Sequence, residues 1–174
     1  MRCGELAREG VDFVLIREKQ LAAGELATVG RMILEAVRAS NDKTKALMGV
    51  RVDVALAIRA DGVNLSGQPG ELRVSQVRRL MPEGFVSVSC HSVADVVRAR
   101  EDGASAVLFG PVFGKTVGGK EVMAGVGLEG LREACGVAGE MMVFALGGIS
   151  EGDAAACVEV GADGIAGIRM FFAP

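Results

Sequence analysis

The chain has no tryptophan, no tyrosine and one histidine among its 174 residues, and its four cysteines stand far apart. Interfaces between proteins draw heavily on Trp and Tyr, so their absence argues against a large protein-docking face. A zinc site needs three or four Cys or His ligands to converge. Cys3, Cys90, Cys135 and Cys157, with no Cys-x-x-Cys pair, and a lone His91 do not supply such a set. The thiols read instead as small reduced hydrophobes. A surplus of one charge is missing too: 19 bases against 22 acids, interspersed, leave no basic face for nucleic acid and no disordered charged tail. No apolar run approaches the roughly 18 residues of a membrane span, and Glu5 and Glu9 stand where a signal peptide would be apolar. A cytoplasmic protein with a small-molecule partner, and with neither nucleic acid nor membrane, is expected.

What the chain does have is glycine, 25 of them, and a composition that is half hydrophobic, enough for one core over a single domain of residues 1–174. Four short phrases end a helical segment and open a hydrophobic strand: Gly10-Val11-Asp12-Phe13-Val14, Ala60-Asp61-Gly62-Val63, Gly103-Ala104-Ser105-Ala106-Val107 and Gly161-Ala162-Asp163-Gly164-Ile165. Glycine just past a helix takes the left-handed conformation that stops it. The spacing leaves room for another strand and helix between copies, the pattern of a TIM-type (β/α)8 barrel.

Run lengths and breakers predict strands at Asp12 to Lys19, Lys45 to Val50, Gly62 to Ser66, Phe85 to His91, Ala106 to Phe113, Met141 to Gly148 and Gly164 to Met170. Helices are predicted over residues 1–9, about Ala22 to Ala39, Val52 to Ala60, about Leu72 to Met81, Val93 to Asp102, Leu128 to Val137 and Gly152 to Val160. Seven strands are readable and the first strand of the barrel is not. An open sheet has two unpaired edges, so the expectation is either a natural start upstream of Met1 or a gap closed by association into a homo-oligomer, with stability below that of a full barrel.

In a barrel the chemistry collects at the C-terminal strand ends. Arg17 and Lys19 share one face of the first strand there, two cations at the mouth, although solvent-facing ion pairs would explain them as well. Ser87, Ser89 and His91 share one face of the fourth strand, and His91 alone among the side chains has an unperturbed pKa near neutrality. A capping histidine bonded to backbone is the alternative. The loop Gly110-Pro111-Val112-Phe113-Gly114-Lys115-Thr116, with Gly118, Gly119 and Lys120 beyond, is one residue short of a P-loop, and Pro111 removes a backbone donor, so a lid carrying two lysines is expected instead. Gly147-Gly148 and Ile168-Arg169 end the last two strands, where backbone N–H groups and an arginine fork can hold a phosphate; two ordinary turns would read the same way.

The segments Phe13–Lys19, Val54–Leu65, Val88–Ser92, Phe109–Phe113, Gly127–Leu131, Ala145–Ile149 and Ala162–Ile168, in that order, resemble the thiamine-phosphate synthase/TenI family over nearly the whole chain. The resemblance implies a barrel that handles a thiazole phosphate. The synthase branch couples it to hydroxymethylpyrimidine diphosphate with magnesium and releases pyrophosphate; the TenI branch isomerises a thiazole carboxylate phosphate by proton transfer. Arg17 and Lys19 match a diphosphate-binding Arg-x-Lys, with Leu15 where a glutamine is expected. Gly49-Val50 stands where the synthase carries Asn-Asp, and Ser66-Gly67-Gln68-Pro69 where it carries a second carboxylate, with Glu71 a distant substitute.

With those carboxylates missing or displaced, a hard divalent ion lacks its oxygen ligands. The expected site therefore has His91 as acid and base, Arg17, Lys19, Asn64, Ser89, Lys115 and Lys120 on the substrate, Gly147, Gly148, Ile168 and Arg169 on the phosphate, and no metal or other cofactor. A metal-independent thiazole tautomerase is the favoured activity, the magnesium-dependent synthase the alternative, and a non-catalytic phosphate-ligand-binding protein the third possibility.

Overall fold

The computed structural model describes residues 1–117 and 120–172, with the backbone alone over 115–117 and 120–122. Helix α1 (Arg2–Glu9) leads into β1 (Phe13–Ile16), then α2 (Ala23–Ser40), β2 (Lys45–Gly49), α3 (Val52–Ile58), β3 (Gly62–Leu65), α4 (Val74–Leu80) and β4 (Phe85–Cys90). The chain continues through α5 (Val93–Glu101), β5 (Ala106–Phe109), a hairpin of β6 (Lys115–Val117) and β7 (Lys120–Met123), α6 (Gly127–Ala138) and β8 (Met142–Leu146). A 3-10 turn, α7 (Ala154–Glu159), β9 (Gly164–Ala166) and α8 (Arg169–Phe172) complete it. Seven strands are hydrogen-bonded in the order β1-β2-β3-β4-β5-β8-β9, and β6 and β7 pair antiparallel by themselves. Two parts, Met1–Val86 and Ser87–Pro174, are each compact.

In the first part, Gly10 ends α1 at φ 94°, and the N–H groups of Gly10 and Val11 bond back to Ala7 and Leu6. Ala7 then packs with Val14 and Val37, so the α1 joint also closes a piece of core. Asp12 starts the ladder one residue early, its carbonyl accepting from the Lys45 N–H at 2.9 Å. The Asp61 joint goes further. Its N–H donates to the Ala46 carbonyl, its own carbonyl accepts from the Phe85 N–H, and its carboxylate takes the Ala46 N–H at 2.8 Å and Arg38 at 2.8 Å. Gly62 is dictated by the same crowding, because a Cβ there would lie 1.9 Å from the Phe85 carbonyl oxygen.

The second part repeats the device. The Val143 N–H donates to the Asp163 carboxylate at 2.7 Å, and the Asp163 N–H donates to the Val143 carbonyl at 2.9 Å. Its core is Val96, Val107, Phe109, Leu131 and Val143, all buried, supplied by helix stripes and strands of the kind expected from the hydrophobic pattern.

Four expectations need correction. The first strand stops at Ile16 rather than Lys19, since Arg17, Glu18 and Lys19 are exposed and β1 pairs on one side only, with β2. The fifth stops at Phe109 rather than Phe113: Pro111 has no N–H for the ladder, and Val112 and Phe113 bond instead to the Leu146 and Gly147 carbonyls. The seventh stops at Ala166, and Arg169 begins α8 instead of ending a strand. The glycine-rich loop contains the β6–β7 hairpin.

Candidate functional site

Register places the strand ends of the second part side by side. Cys90 pairs with Phe109, Phe109 with Ala145, and Leu146 with Ala166, so His91, Gly110, Gly147 and Gly167 each leave their strands as neighbours. His91 lies just past β4 and is exposed, while Ser87 is buried and Ser89 half-buried within the strand. Its Nδ1 bonds to the carbonyl oxygen of Gly110. A carbonyl only accepts, so Nδ1 carries the proton and the Nε2 lone pair of the neutral ring is left for other work. The capping alternative and the acid–base role are thus compatible in one side chain. The His91 N–H in turn donates to Asp95, as do the Ser92 N–H and hydroxyl. Burial alone would raise the Asp95 pKa, but these donors and Arg98 outweigh it and hold the carboxyl below its usual range.

Gly147 and Gly148 both adopt left-handed backbone, φ 95° and 70°. A Cβ on Gly147 would come within 2.6 Å of Pro111, and one on Gly148 within 2.8 Å of the Phe113 and Gly114 carbonyls. Close packing of the two loops therefore requires glycine at both positions whatever they bind. Ile168 and Arg169 are exposed, Ile168 in the short link after β9 and Arg169 at the start of α8. The side chains of Lys115 and Lys120, and Gly118 and Gly119 entirely, lie outside the described residues.

In the first part the register aligns Ile16 with Met48 and Gly49 with Asn64, so Arg17, Gly49 and Asn64 stand in a row at the strand ends. Arg17 and Lys19 are exposed, and Asn64 is buried. The stem of Arg17 lies over Gly49, with Cγ 3.2 Å from where a Cβ would be. Val50 follows at φ 63°, its N–H bonded to the Asn64 carbonyl at 2.8 Å. Sequence reasoning missed this conformation, for a β-branched residue is the type least expected there. It also missed that Glu71 folds back on the end of β3, accepting from the Ser66 N–H at 2.9 Å and the Ser66 hydroxyl at 2.5 Å.

These residues do not fit a divalent ion. Gly49 and Val50 offer no side-chain oxygen, Glu71 is occupied by Ser66, and Asp53 is gripped by Arg51 through two bonds of 2.9 and 2.6 Å. Among the described residues no three His, Cys, Asp or Glu side chains gather for a metal.

A family model described as thiamine monophosphate synthase matches residues 2–171. The chain belongs to the thiamine monophosphate synthase family. It is 36% identical over 161 residues to a thiamine-phosphate synthase of Chloroflexus aurantiacus, the match covering 90% of this chain and 70% of that one. A thiamine-phosphate synthase of Methanoregula boonei is 38% identical over 158 residues, covering 90% and 70%. Thiamine phosphate pyrophosphorylase from Pyrococcus furiosus has the same fold, with a TM-score of 0.84 and 28% identity over 97% of this chain and 78% of the other. The fold is thus of the TIM-type (β/α)8 barrel class with seven of its parallel strands. The setting is thiamine biosynthesis. Relatives' names match the synthase alternative rather than the tautomerase favoured from sequence. Among the described residues no helix is long and apolar enough to cross a membrane.

Proposed function

We propose that this chain is an enzyme of thiamine biosynthesis that binds a thiazole phosphate and joins it to hydroxymethylpyrimidine diphosphate, releasing pyrophosphate. The supporting observation is likeness to proteins named synthases along nine-tenths of the chain. In this reading the bond between the pyrimidine's methylene carbon and the diphosphate breaks with its electron pair going to the leaving group, which needs positive charge beside it. Arg17, Lys19, Lys115 and Lys120 are the proposed cations. The backbone at Gly147 and Gly148, Ile168 and Arg169 are proposed for the thiazole phosphate, Asn64 and Ser89 for the rings. No step is assigned to a metal, because the residues at Gly49, Val50 and Ser66 do not fit one.

That misfit, together with a His91 ring whose Nδ1 proton is fixed and whose Nε2 is left over, favours a second reading: a proton shift on a thiazole carboxylate phosphate, with His91 taking and returning the proton. Two assays on one preparation separate them. Pyrophosphate release from the two substrates supports the joining reaction; deuterium exchange into the thiazole carboxylate phosphate without pyrophosphate release supports the shift. Thermal stabilisation by a thiazole phosphate with neither product would reduce the chain to a binding protein.

A further inference from the structure

Among the described residues, the one β-branched residue held in left-handed backbone sits at a strand end of the candidate site. Val50 has φ 63°, a conformation that crowds its Cβ and that Asn, Asp or Gly occupies far more readily. Such outliers persist where surrounding structure over-determines them, and here it does. The Val50 N–H is tied to Asn64, the Arg51 N–H to the Gly49 carbonyl at 2.7 Å, and the Val52 N–H to the Val50 carbonyl at 3.0 Å. The backbone corner is retained, then, with a side chain that has no oxygen. Beside it, Gly49 leaves just enough room for the stem of Arg17. Among the described residues the Arg17 side chain has no ion-pair or hydrogen-bond partner, and the carboxylate nearest to Val50 along the chain, Asp53, is neutralised by Arg51.

We infer that the Gly49–Val50 corner is an anion subsite that excludes divalent cations, with Val50 as the determinant: Arg17 meets phosphate or carboxylate oxygens directly, and the apolar side chain at 50 denies a metal its ligand. The inference concerns binding at this corner and holds for either reaction proposed above.

The test uses the full chain and two probes, Mn2+ alone followed by its free-ion paramagnetic resonance signal, and inorganic pyrophosphate followed by calorimetry in EDTA. Wild type leaves Mn2+ free and binds pyrophosphate without metal. Arg17→Ala weakens pyrophosphate about tenfold or more. Val50→Asp gains Mn2+ binding at least about tenfold tighter than wild type. Val50→Asn, which suits the same backbone, serves as the folding control and melts at or above the wild-type temperature. Wild type binding Mn2+ as tightly as Val50→Asp, pyrophosphate binding that vanishes in EDTA, or a folded Val50→Asp that gains no Mn2+ each overturns the inference. None of these readouts depends on turnover, so a failed activity assay leaves them standing.

Discussion

The imidazole of His91 is fastened through Nδ1 to the carbonyl oxygen of Gly110, joining the residue after β4 to the residue after β5. The bond sets the tautomer and the direction of Nε2, the two properties a proton-transferring histidine needs. If Nε2 does that work, His91→Gln lowers turnover about 100-fold or more while inorganic phosphate binding stays near wild type. A purely positional His91 gives the opposite pattern in steady-state kinetics and calorimetry: little change in turnover per bound substrate and a fall in melting temperature.

Glycines in this chain divide by what surrounds them. Gly103 has φ 85° and open space where a Cβ would go, whereas a Cβ on Gly62 would press to 1.9 Å of the Phe85 carbonyl oxygen. Gly103→Ala therefore bears only the left-handed strain, about 1 kcal/mol. Gly62→Ala forces two backbone segments apart, at a cost of about 3 kcal/mol or more. Urea unfolding of the two variants checks the order, and equal losses would show that the joint at Gly62 relaxes freely.

The joints were legible because their chemistry is local. Gly10 and Gly161 stop helices by their own backbone freedom, and Asp61 and Asp163 stand in the same phrase and bond the same way. Run length misled at the ends. Phe13 to Ile16 is apolar and Arg17 to Lys19 is charged, and among the described residues the exposed charged stretch finds no ladder partner past the Ile16–Met48 pair. Lys115-Thr116-Val117 and Lys120-Glu121-Val122, flanking two glycines, did carry a hairpin signal that the glycine-rich loop reading absorbed. The grip of Gly110 on His91, of Ser66 on Glu71 and the left-handed Val50 depend on residues brought together by the fold, and nothing in the residue types announces them.

Asp61 and Asp163 test whether the repeated phrase is a stabilising device. Asp163→Ala removes the acceptor for the N–H of buried Val143 and costs about 1–2 kcal/mol. Asp163→Asn keeps an oxygen and loses less. Asp61→Ala loses more than Asp163→Ala, because Asp61 also holds Arg38 at 2.8 Å. Denaturant midpoints for the three variants decide it; a neutral Asp163→Ala would mean that water replaces the carboxylate at no cost.

Cys90 contributes to the alkaline side of the stability profile, where burial also raises the thiols of Cys3, Cys135 and Cys157. Cys90 is 1% exposed, and burial, with the negative charge of Asp95 adding to it, pushes the thiol from 9.0 up to about 12. Between those values the unfolded chain has lost the proton and the folded chain still holds it, so the unfolded state binds fewer protons and stability falls as pH rises. The contribution is fully present below about 9 and is lost through about 12. With no tyrosine in the chain, no phenol titrates in that window. Urea midpoints of wild type and Cys90→Ala between those two pH values should therefore converge as the solution becomes more alkaline, and native Cys90 should resist thiol-alkylating reagents at neutral pH until the chain unfolds. A constant gap between the two proteins across the window would show that Cys90 ionises as easily folded as unfolded.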